Sequence, residues 1–234
     1  MKLALIGYGA MGQLVASQAR SAGDDVGVTL TSKDSTRGIE ELVAELRGHD
    51  AAIGFSVADG VLKNIESCAR AGVPVVEGTT GWQAQEPEAW RLMAQYDGAL
   101  VYGANFSIGV NLFYRIVMNA SLLFASVESY AAFIEEAHHS RKRDAPSGTA
   151  LRLRALMNEH LKREIPIAST RAGYIPGTHR VGFDSVADQI TLTHEARSRE
   201  GFAAGALLAA RWIVGHKGVY EFTDVIDEVV RGLP

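Results

Sequence analysis

One central segment concentrates the reactive side chains of this sequence. His138 and His139 are adjacent, and Arg141, Lys142 and Arg143 follow at once. Imidazole and ammonium groups are residue types that enzymes use for proton transfer. Three cations beside two imidazoles also make a local site of positive charge in a chain whose formal net charge is −4. The segment therefore predicts chemistry on an anionic substrate.

The residues after these cations favour the start of a helix. Pro146 suits the first helical turn, and Asp144 or Ser147 can cap it. Gly148 and Thr149 would then present backbone N–H groups, and a helix N-terminus of this kind binds carboxylates. Two adjacent histidines at a strand end point to opposite faces. We therefore expect one histidine to face the substrate and the other to reach it only where the chain bends.

A metal site built on His138 and His139 is the competing interpretation of the segment. Adjacent histidines rarely reach one ion together, and no second pair of ligands follows at a suitable spacing. Cys68 is the only cysteine, which excludes a cysteine-rich site, and we expect it to be a packed core thiol. We therefore predict no bound metal. The histidines that we expect on the surface or in loops are His160, His179 and His216.

A glycine-rich motif, Gly7-Tyr8-Gly9-Ala10-Met11-Gly12, follows the first apolar run of the chain. It fits the G-x-G-x-x-G pattern at a strand-to-helix turn. Gly7 permits the tight turn, Gly9 lets the backbone approach a pyrophosphate, and Gly12 lets the helix pack closely on the sheet. The motif predicts a dinucleotide whose phosphates lie at the helix N-terminus.

Two further stretches with glycine follow predicted strands. Gly78-Thr79-Thr80 comes after the fourth strand, and Gly103-Ala104-Asn105-Phe106 comes after the fifth. Ligands of open α/β sheets bind at the carboxyl ends of the strands. We therefore expect both stretches to contact the same dinucleotide, although each could also be an ordinary glycine turn.

The end of the second strand predicts which dinucleotide is preferred. An acidic residue at this position usually binds the ribose hydroxyls of NAD, but this chain has Thr31, Ser32 and Lys33. Two hydroxyls and a cation suit the 2′-phosphate of NADPH. The alternative is that Asp34 turns inward to serve NAD, in which case Lys33 is a solvated loop residue.

The apolar pattern predicts the elements that position these motifs. In the first hundred residues, short apolar runs alternate with helical stretches, which indicates βαβ units and a parallel sheet. The predicted strands are 2–6, 25–30, 51–55, 74–77 and 99–103. The predicted helices are 11–22, 38–47, 61–71 and 87–96. Gly23 and Gly72 are expected to cap two of these helices in the left-handed conformation.

The pattern changes after residue 107. A long apolar stretch at 108–125 predicts a mostly buried helix, and alternating segments at 130–136, 180–183 and 189–194 predict strands of an open mixed or antiparallel sheet with helices on one side. A helix at 200–214 and a strand at 219–222 are expected to end the chain. The fold class is thus α/β, with a Rossmann-type parallel-sheet domain and an α+β domain.

Composition narrows the class of protein further. The chain has 234 residues, of which 47% are hydrophobic and 21% charged, values near the average of globular proteins. An acidic balance argues against a general nucleic-acid binder. The first apolar run is too short to span a membrane. We therefore expect neither nucleic acid nor membrane as a partner, and a single free cysteine fits the cytoplasm.

With these motifs assembled, the sequence resembles the dihydrodipicolinate reductase family, the 4-hydroxy-tetrahydrodipicolinate reductases of the diaminopimelate route to lysine. The resemblance spans almost the whole chain. It rests on the signature at 136–149, the glycine turn at 7–12, and the stretches 78–80, 104–111 and 202–206. The glycine turn is one residue shorter than is common in the family, and the chain is also somewhat short.

The resemblance implies an oxidoreductase that reduces a small dicarboxylate with NADPH or NADH. It implies a dinucleotide-binding domain at 1–106 with 199–234, and a substrate-binding and oligomerisation domain at 107–198 that assembles a homotetramer. By position in the signature, His138 is the proton donor or acceptor and Lys142 the second acid. The residues that would bind the substrate are His139, Ser147, Gly148 and Thr149.

Two other functions compete with this one. The first is another nicotinamide-dependent reductase or dehydrogenase of a small amino or keto acid. The second is a module that senses the dinucleotide without catalysis. The segment from His138 to Thr149 argues against a sensor, because it has no purpose where nothing is reduced.

Overall fold

The computed structural model describes residues 1–232, and the chain divides into two compact units. The first unit is formed by residues 1–108 together with the segment that begins at Arg199, and the second by Gly109–Ser198. No helix among the described residues is long and apolar enough to cross a membrane.

The first unit begins with alternating strands and helices. They are β1 (Lys2–Ile6), α1 (Ala10–Ser21), β2 (Asp25–Leu30), α2 (Ile39–Leu46), β3 (Ala51–Gly54), α3 (Ala58–Ala71), β4 (Val75–Glu77), α4 (Glu86–Gln95) and β5 (Ala99–Tyr102). The second unit then supplies α5 (Ile108–Phe124), β6 (Ala131–His138), α6 (Gly148–Leu161), β7 (Ile167–Arg171), β8 (Gly177–Asp184) and β9 (Gln189–Ala196). The chain returns to the first unit with α7 (Glu200–Ile213), β10 (Gly218–Glu221) and α8 (Phe222–Arg231).

The sheet of the first unit has six strands, all parallel, in the order β10-β5-β4-β3-β1-β2. Four consecutive residues of β1 and all of β3 are buried. Such continuous apolar strands are typical of a parallel sheet covered on both faces. The Rossmann-type prediction is confirmed, and Gly72 caps α3 with a φ of 73° as expected. Cys68 is fully buried, as predicted.

One residue of this core is an acid. Glu77 ends β4 and is fully buried. Its Oε1 accepts the backbone N–H of Thr79 at 2.8 Å, whereas its Oε2 has no hydrogen-bond partner among the described residues. Burial raises the pKa of the Glu77 carboxyl, and the hydrogen bonds from Thr79 offset this only in part.

We expect Glu77→Gln to stabilise the chain at pH 8. The unfolded chain ionises Glu77 as the pH rises above its ordinary pKa while the folded chain holds the proton longer, so the acid costs stability at higher pH. The amide keeps an oxygen for Thr79 and removes this cost. The expected gain in Tm is about 2–4 °C at pH 8, a change on the order of 1 kcal/mol, and it disappears near pH 4. Thermal unfolding at both pH values measures it, with Glu159→Gln on the exposed face of α6 as the control. A lower Tm at pH 8 would show that the carboxylate is needed.

The sheet of the second unit is mixed, in the order β7-β6-β8-β9. β6 pairs parallel with β7 and antiparallel with β8. Helices α5 and α6 supply apolar side chains to a single core with one face of this sheet, including Phe113, Leu153 and Ile134. The predicted open mixed sheet with helices on one side is confirmed. Strand β7 was not predicted, because only the first of its five residues is a strongly apolar one.

Three sequence predictions were wrong in detail. Helix α5 is not mostly buried, since one face packs on the sheet while Leu122 and Leu123 are 57% and 76% exposed. The last predicted strand is followed by a helix that was not predicted, α8, whose inner face is buried through Phe222 and Val225. Pro146 lies outside the first turn of α6, whose N-cap is Ser147.

Candidate active site

The glycine turn of the first unit is built as the motif requires. Gly7 has a φ of +96°, which side chains rarely permit. A Cβ on Gly12 would lie 2.1 Å from the carbonyl oxygen of Gly7, so only glycine lets α1 begin this close to β1. A Cβ on Gly9 would meet no atom within 4 Å. The backbone of the turn therefore excludes a side chain at Gly7 and Gly12, whereas Gly9 faces open space.

The start of α1 is prepared for an anion. Its N-cap is Gly9, which supplies no side-chain hydrogen bond, and the first turn contains no acidic residue. The first N–H groups of a helix carry partial positive charge and need acceptors. A phosphate group at this position would satisfy both the charge and the hydrogen bonds.

A cavity of about 230 Å³ lies in the same unit. Four residues predicted to contact the cofactor line it, namely Met11, Gly78, Ala104 and Phe106. The other lining residues are Phe55, Arg199 and Phe202. Phe106 is otherwise a core residue, with its ring 4.5 Å from that of Phe222. Sequence reasoning did not assign Arg199 or Phe202 to the cofactor site, although Phe202 begins the 202–206 stretch that contributes to the resemblance. Both residues come from a distant part of the chain.

The loop after β4 is held by hydrogen bonds rather than left free. The hydroxyl oxygen of Thr79 accepts the backbone N–H of Ser56 at 2.9 Å, and the Trp82 indole donates to the Thr79 carbonyl at 2.9 Å. Thr80 is exposed. After β5, the Asn105 side chain accepts the N–H of Ser107 at 2.9 Å. These bonds fix the loops at the carboxyl ends of β3, β4 and β5.

The loop after β2 differs from its prediction in one respect. The hydroxyl of Thr31 donates to Asp34 Oδ2 at 3.1 Å, and the Thr31 N–H donates to the same atom at 2.8 Å. Asp34 thus caps a short turn instead of facing a ribose, and hydrogen bonds from Thr31 and Arg37 lower its pKa. Both the hydroxyl and the backbone N–H of Thr31 are therefore used within this cap. Lys33 forms no ion pair within the described chain, and Ser32 begins the turn.

In the second unit, β6 ends on the first of the paired histidines. Glu136 and His138 are two residues apart and share one face of the strand. Nδ1 of His138 lies 2.5 Å from Oε2 of Glu136. Burial lowers the pKa of His138, although the carboxylate opposes this. Imidazole and carboxylate thus form a largely buried pair at the end of the strand, with side chains 12% and 0% exposed.

The carboxylate of Glu136 has further hydrogen-bond partners. Arg171 donates to Oε1 at 2.7 Å, and the backbone N–H of Ser147 donates to the same oxygen at 3.3 Å. Burial alone would raise the pKa of Glu136, but the hydrogen bonds from Arg171 and Ser169 and the neighbouring charges lower it to about 2. Glu136 is therefore ionised at neutral pH.

His179 was predicted to lie on the surface or in a loop, and this was wrong. It lies in β8, is only 4% exposed, and its ring contacts that of His138 edge to face at 5.1 Å. Its Nε2 lies 3.1 Å from the hydroxyl oxygen of Ser147. Burial lowers the pKa of His179 to about 4. His179 is thus an uncharged side chain that lines the site. The register of β6 with β8 places it opposite Glu136.

The remaining residues of the segment lie along the loop and the helix start. Nζ of Lys142 lies 2.8 Å from Oδ1 of Asp144, and a hydrogen bond from Lys142 lowers the pKa of that acid. The Ser147 hydroxyl accepts the N–H of Ala150 and caps α6. A Cβ on Gly148 would meet no atom within 4 Å. The helix start is therefore open at its first residue.

A group of three possible metal ligands occurs in the described residues. Atoms of Glu136, His138 and His179 lie within 4.8 Å of one another. Each Glu136 oxygen already lies within 2.7 Å of a nitrogen, one on Arg171 and one on His138. Glu136 is the only carboxylate of this group, and the Arg171 guanidinium neutralises it. The group therefore lacks the negative charge that would favour a bound metal ion. We interpret the group as a charge-balanced network around His138.

Comparison with known proteins assigns the chain to a family. The model described as "Dihydrodipicolinate reductase, N-terminus" matches residues 1–106, and that described as "Dihydrodipicolinate reductase, C-terminus" matches residues 109–226. The chain belongs to the dihydrodipicolinate reductase family.

Individual relatives agree with this assignment. The chain is 35% identical to the 4-hydroxy-tetrahydrodipicolinate reductase of Christiangramia forsetii, with 99% of this chain and 100% of the relative covered. It is 34% identical to that of Neisseria meningitidis, with 92% and 86% covered. A dipicolinate-bound dihydrodipicolinate reductase from Paenisporosarcina has the same fold, with a TM-score of 0.79 at 20% identity and 94% of this chain and 97% of that chain covered.

The reaction of this chain, as a member of the family, is the NAD(P)H-dependent reduction of dihydrodipicolinate in lysine biosynthesis. The function predicted from the resemblance is confirmed. A reductase of another small acid and a sensor without catalysis, the two competing interpretations, are set aside by the match of both parts of the chain.

Proposed function

We propose that His138 exchanges the reaction's proton and that Lys142 is the second acid. The observation that carries this proposal is the hydrogen bond from the Ser147 N–H to Glu136, because it joins the strand that ends on His138 to the N-terminus of α6. A proton-transferring imidazole and a helix start that can bind a carboxylate thereby belong to one site. Normal turnover of the His138→Ala variant would overturn the assignment.

The substrate's carboxylates bind at the open N-terminus of α6 and at the cationic loop of residues 141–143. Gly148 and Thr149 offer backbone N–H groups, and His139 follows the end of β6 with its imidazole half-buried. Ser147 contributes as the cap, since its side chain is only 2% exposed. Lys142 pairs with Asp144 at 2.8 Å. An ammonium group has three donors, so Lys142 can donate to the substrate while it keeps this pair.

The cofactor is held by the first unit. The open position at Gly9, the uncapped start of α1 and the cavity beside Gly78 fit a dinucleotide. A bound reduced nicotinamide supplies the hydride for this reaction. The residues that would hold it are Gly7–Gly12, Ser32, Lys33, Gly78–Thr80 and Gly103–Phe106, with Thr31 shaping the loop through its bonds to Asp34.

NADPH is the preferred cofactor in this proposal, and NADH is also used. Arg37 is close in sequence to the 2′-phosphate position, but it is paired with Asp34 and Glu45 at 3.1 and 2.7 Å. Lys33 is exposed and is the cation left to meet the phosphate. Ser32 adds a hydroxyl beside it.

We expect Lys33→Ala to lower the ratio of kcat/KM for NADPH over NADH about tenfold, the cost of one charge-assisted hydrogen bond. Steady-state kinetics with both cofactors measures the ratio. Lys217→Ala is the control, because Lys217 is an exposed lysine beside β10, at the opposite edge of the sheet from β2. An unchanged ratio in Lys33→Ala, or equal use of NADH by the unaltered chain, contradicts this account of the loop.

The chain acts as a homotetramer in the cytoplasm in this proposal. The face of the second unit's sheet that α5 and α6 do not cover carries Phe133 and Arg180 with the guanidinium 5.8 Å from the ring, and Thr191 and Thr193 beside them. Small and amphipathic side chains on an uncovered sheet suit packing against a second sheet. The cytoplasmic location is supported by the biosynthetic reaction and by the free thiol.

A further inference from the structure

We infer that Glu136 positions His138 for proton transfer and couples it to the carboxylate site at the start of α6. The inference rests on the proposed role of His138. Glu136 does not touch the substrate in this assignment; it acts through the imidazole and through the helix cap.

The geometry fixes which imidazole nitrogen carries the proton. Nδ1 of His138 lies 2.5 Å from Oε2 of Glu136, and an ionised carboxylate can only accept. The neutral imidazole is therefore protonated at Nδ1. Both atoms are buried and have no other hydrogen-bond partner among the described residues, so each is the natural partner of the other.

The free nitrogen of the imidazole is left accessible by a glycine. A Cβ on Gly177 would lie 3.1 Å from Nε2 of His138, so the missing side chain keeps space beside this nitrogen. With Nδ1 held by Glu136, Nε2 is the atom that exchanges a proton with the substrate. This is the division of roles found where a carboxylate orients a catalytic histidine.

Each element around His138 supplies a charged or titratable group. Burial lowers the pKa of His138, Glu136 raises it, and the cations Lys142 and Arg171 lower it. His179 lies edge to face with the ring and is neutral at pH 7, since burial holds its pKa at about 4. Among these groups only the carboxylate favours the imidazolium. Its removal must shift the titration of His138 to lower pH.

The same carboxylate reaches the anion site. Its Oε1 accepts from the backbone N–H of Ser147 at 3.3 Å and from Arg171 at 2.7 Å. Ser147 is the N-cap of α6, so the bond ties the helix start to the strand that bears His138. Arg171 keeps the carboxylate ionised in a buried position. The Glu136 side chain thus orients the His138 imidazole and also holds the N-terminus of α6, where the substrate carboxylate binds.

The test compares Glu136→Gln with Glu159→Gln. The amide keeps the shape and one acceptor but loses the charge. We expect kcat to fall about ten- to hundredfold, the usual effect of losing an orienting partner, and the pH limb of kcat/KM that belongs to His138 to move to lower pH. KM for the cofactor should not change. Glu159 is exposed and lies in the last turns of α6, away from the helix start, so its variant should match the unaltered chain.

A double variant separates a positioning role from a general loss of structure. If Glu136 acts on the chemistry through His138, adding Glu136→Gln to His138→Ala lowers kcat no further than about twofold, and any remaining effect through Ser147 falls on KM for the substrate. Additive losses overturn the inference, as do an unchanged kcat and an unchanged pH limb in Glu136→Gln. If His138→Ala itself retains normal turnover, the proposed role of His138 fails first, and that outcome is distinct.

A measurement on the unaltered chain covers the case in which Glu136→Gln does not fold. Nitrogen NMR of the imidazole reports which ring nitrogen carries the proton, and His138→Gln identifies the signal by its loss. We expect neutral His138 to be protonated at Nδ1. Protonation at Nε2 overturns the inference.

Discussion

Replacing Lys142 or His138 with alanine is expected to lower turnover about a hundredfold or more, the scale of losing a positioned proton donor. Both side chains belong to the second unit, whereas the glycine turn and the cavity belong to the first. Cofactor affinity should therefore remain nearly unchanged. The contrast between turnover and affinity is what a catalytic role predicts.

Steady-state kinetics and cofactor fluorescence measure the two quantities. His160→Ala is a matched control, because this histidine lies in the last turn of α6, away from the helix start. The assignment fails if both variants turn over normally. It also fails if both lose cofactor binding as much as turnover, since that result would indicate damage to the other unit.

Two glycine variants should separate folding from cofactor binding. We expect Gly12→Ala to lower the free energy of unfolding by about 1–3 kcal/mol, the usual cost of overpacking, because its Cβ would lie 2.1 Å from a backbone oxygen. We expect Gly9→Ala to change that energy by less than about 0.5 kcal/mol, because its Cβ meets nothing within 4 Å. Yet its methyl group stands where a pyrophosphate approaches, so the Kd for NADPH should rise at least about tenfold, on the order of 1.4 kcal/mol.

Chemical denaturation and cofactor titration give the two numbers for each variant. Each glycine is the control for the other. Gly9→Ala with the Kd of the unaltered chain would show that the dinucleotide does not approach this position. Gly12→Ala with full stability would show that the turn is not as tight as the structure describes.

The sequence was informative wherever function depends on a local motif. Gly7, Gly9 and Gly12 predicted their turn because a strand, a tight turn and a helix follow one another along the chain. The start of α6 was predicted for the same reason, since Ser147 and Gly148 are a cap and its first helical residue. Buried strands such as β1 and β3 were predicted from continuous apolar runs.

The partners of His138 could not be predicted in this way. Arg171 lies opposite His138, and His179 lies opposite Glu136, only because of the register of β6 with β7 and β8. After Ile167, strand β7 contains only Ala168 and three polar residues, so no pattern indicated that Arg171 would reach the site. Residue types alone also do not determine which of several possible partners a hydroxyl group binds. The hydrogen bond from Thr31 to Asp34 could therefore not be predicted.

The most direct test of the account is the oxidation of NADPH on addition of freshly generated 4-hydroxy-tetrahydrodipicolinate, followed by absorbance in the unaltered chain and in His138→Ala. We predict that the unaltered chain oxidises one NADPH for each substrate reduced, and that His138→Ala binds NADPH but oxidises it about a hundredfold more slowly or worse. An unaltered chain that binds NADPH and never oxidises it, or a His138→Ala variant that oxidises it at the normal rate, would contradict the account.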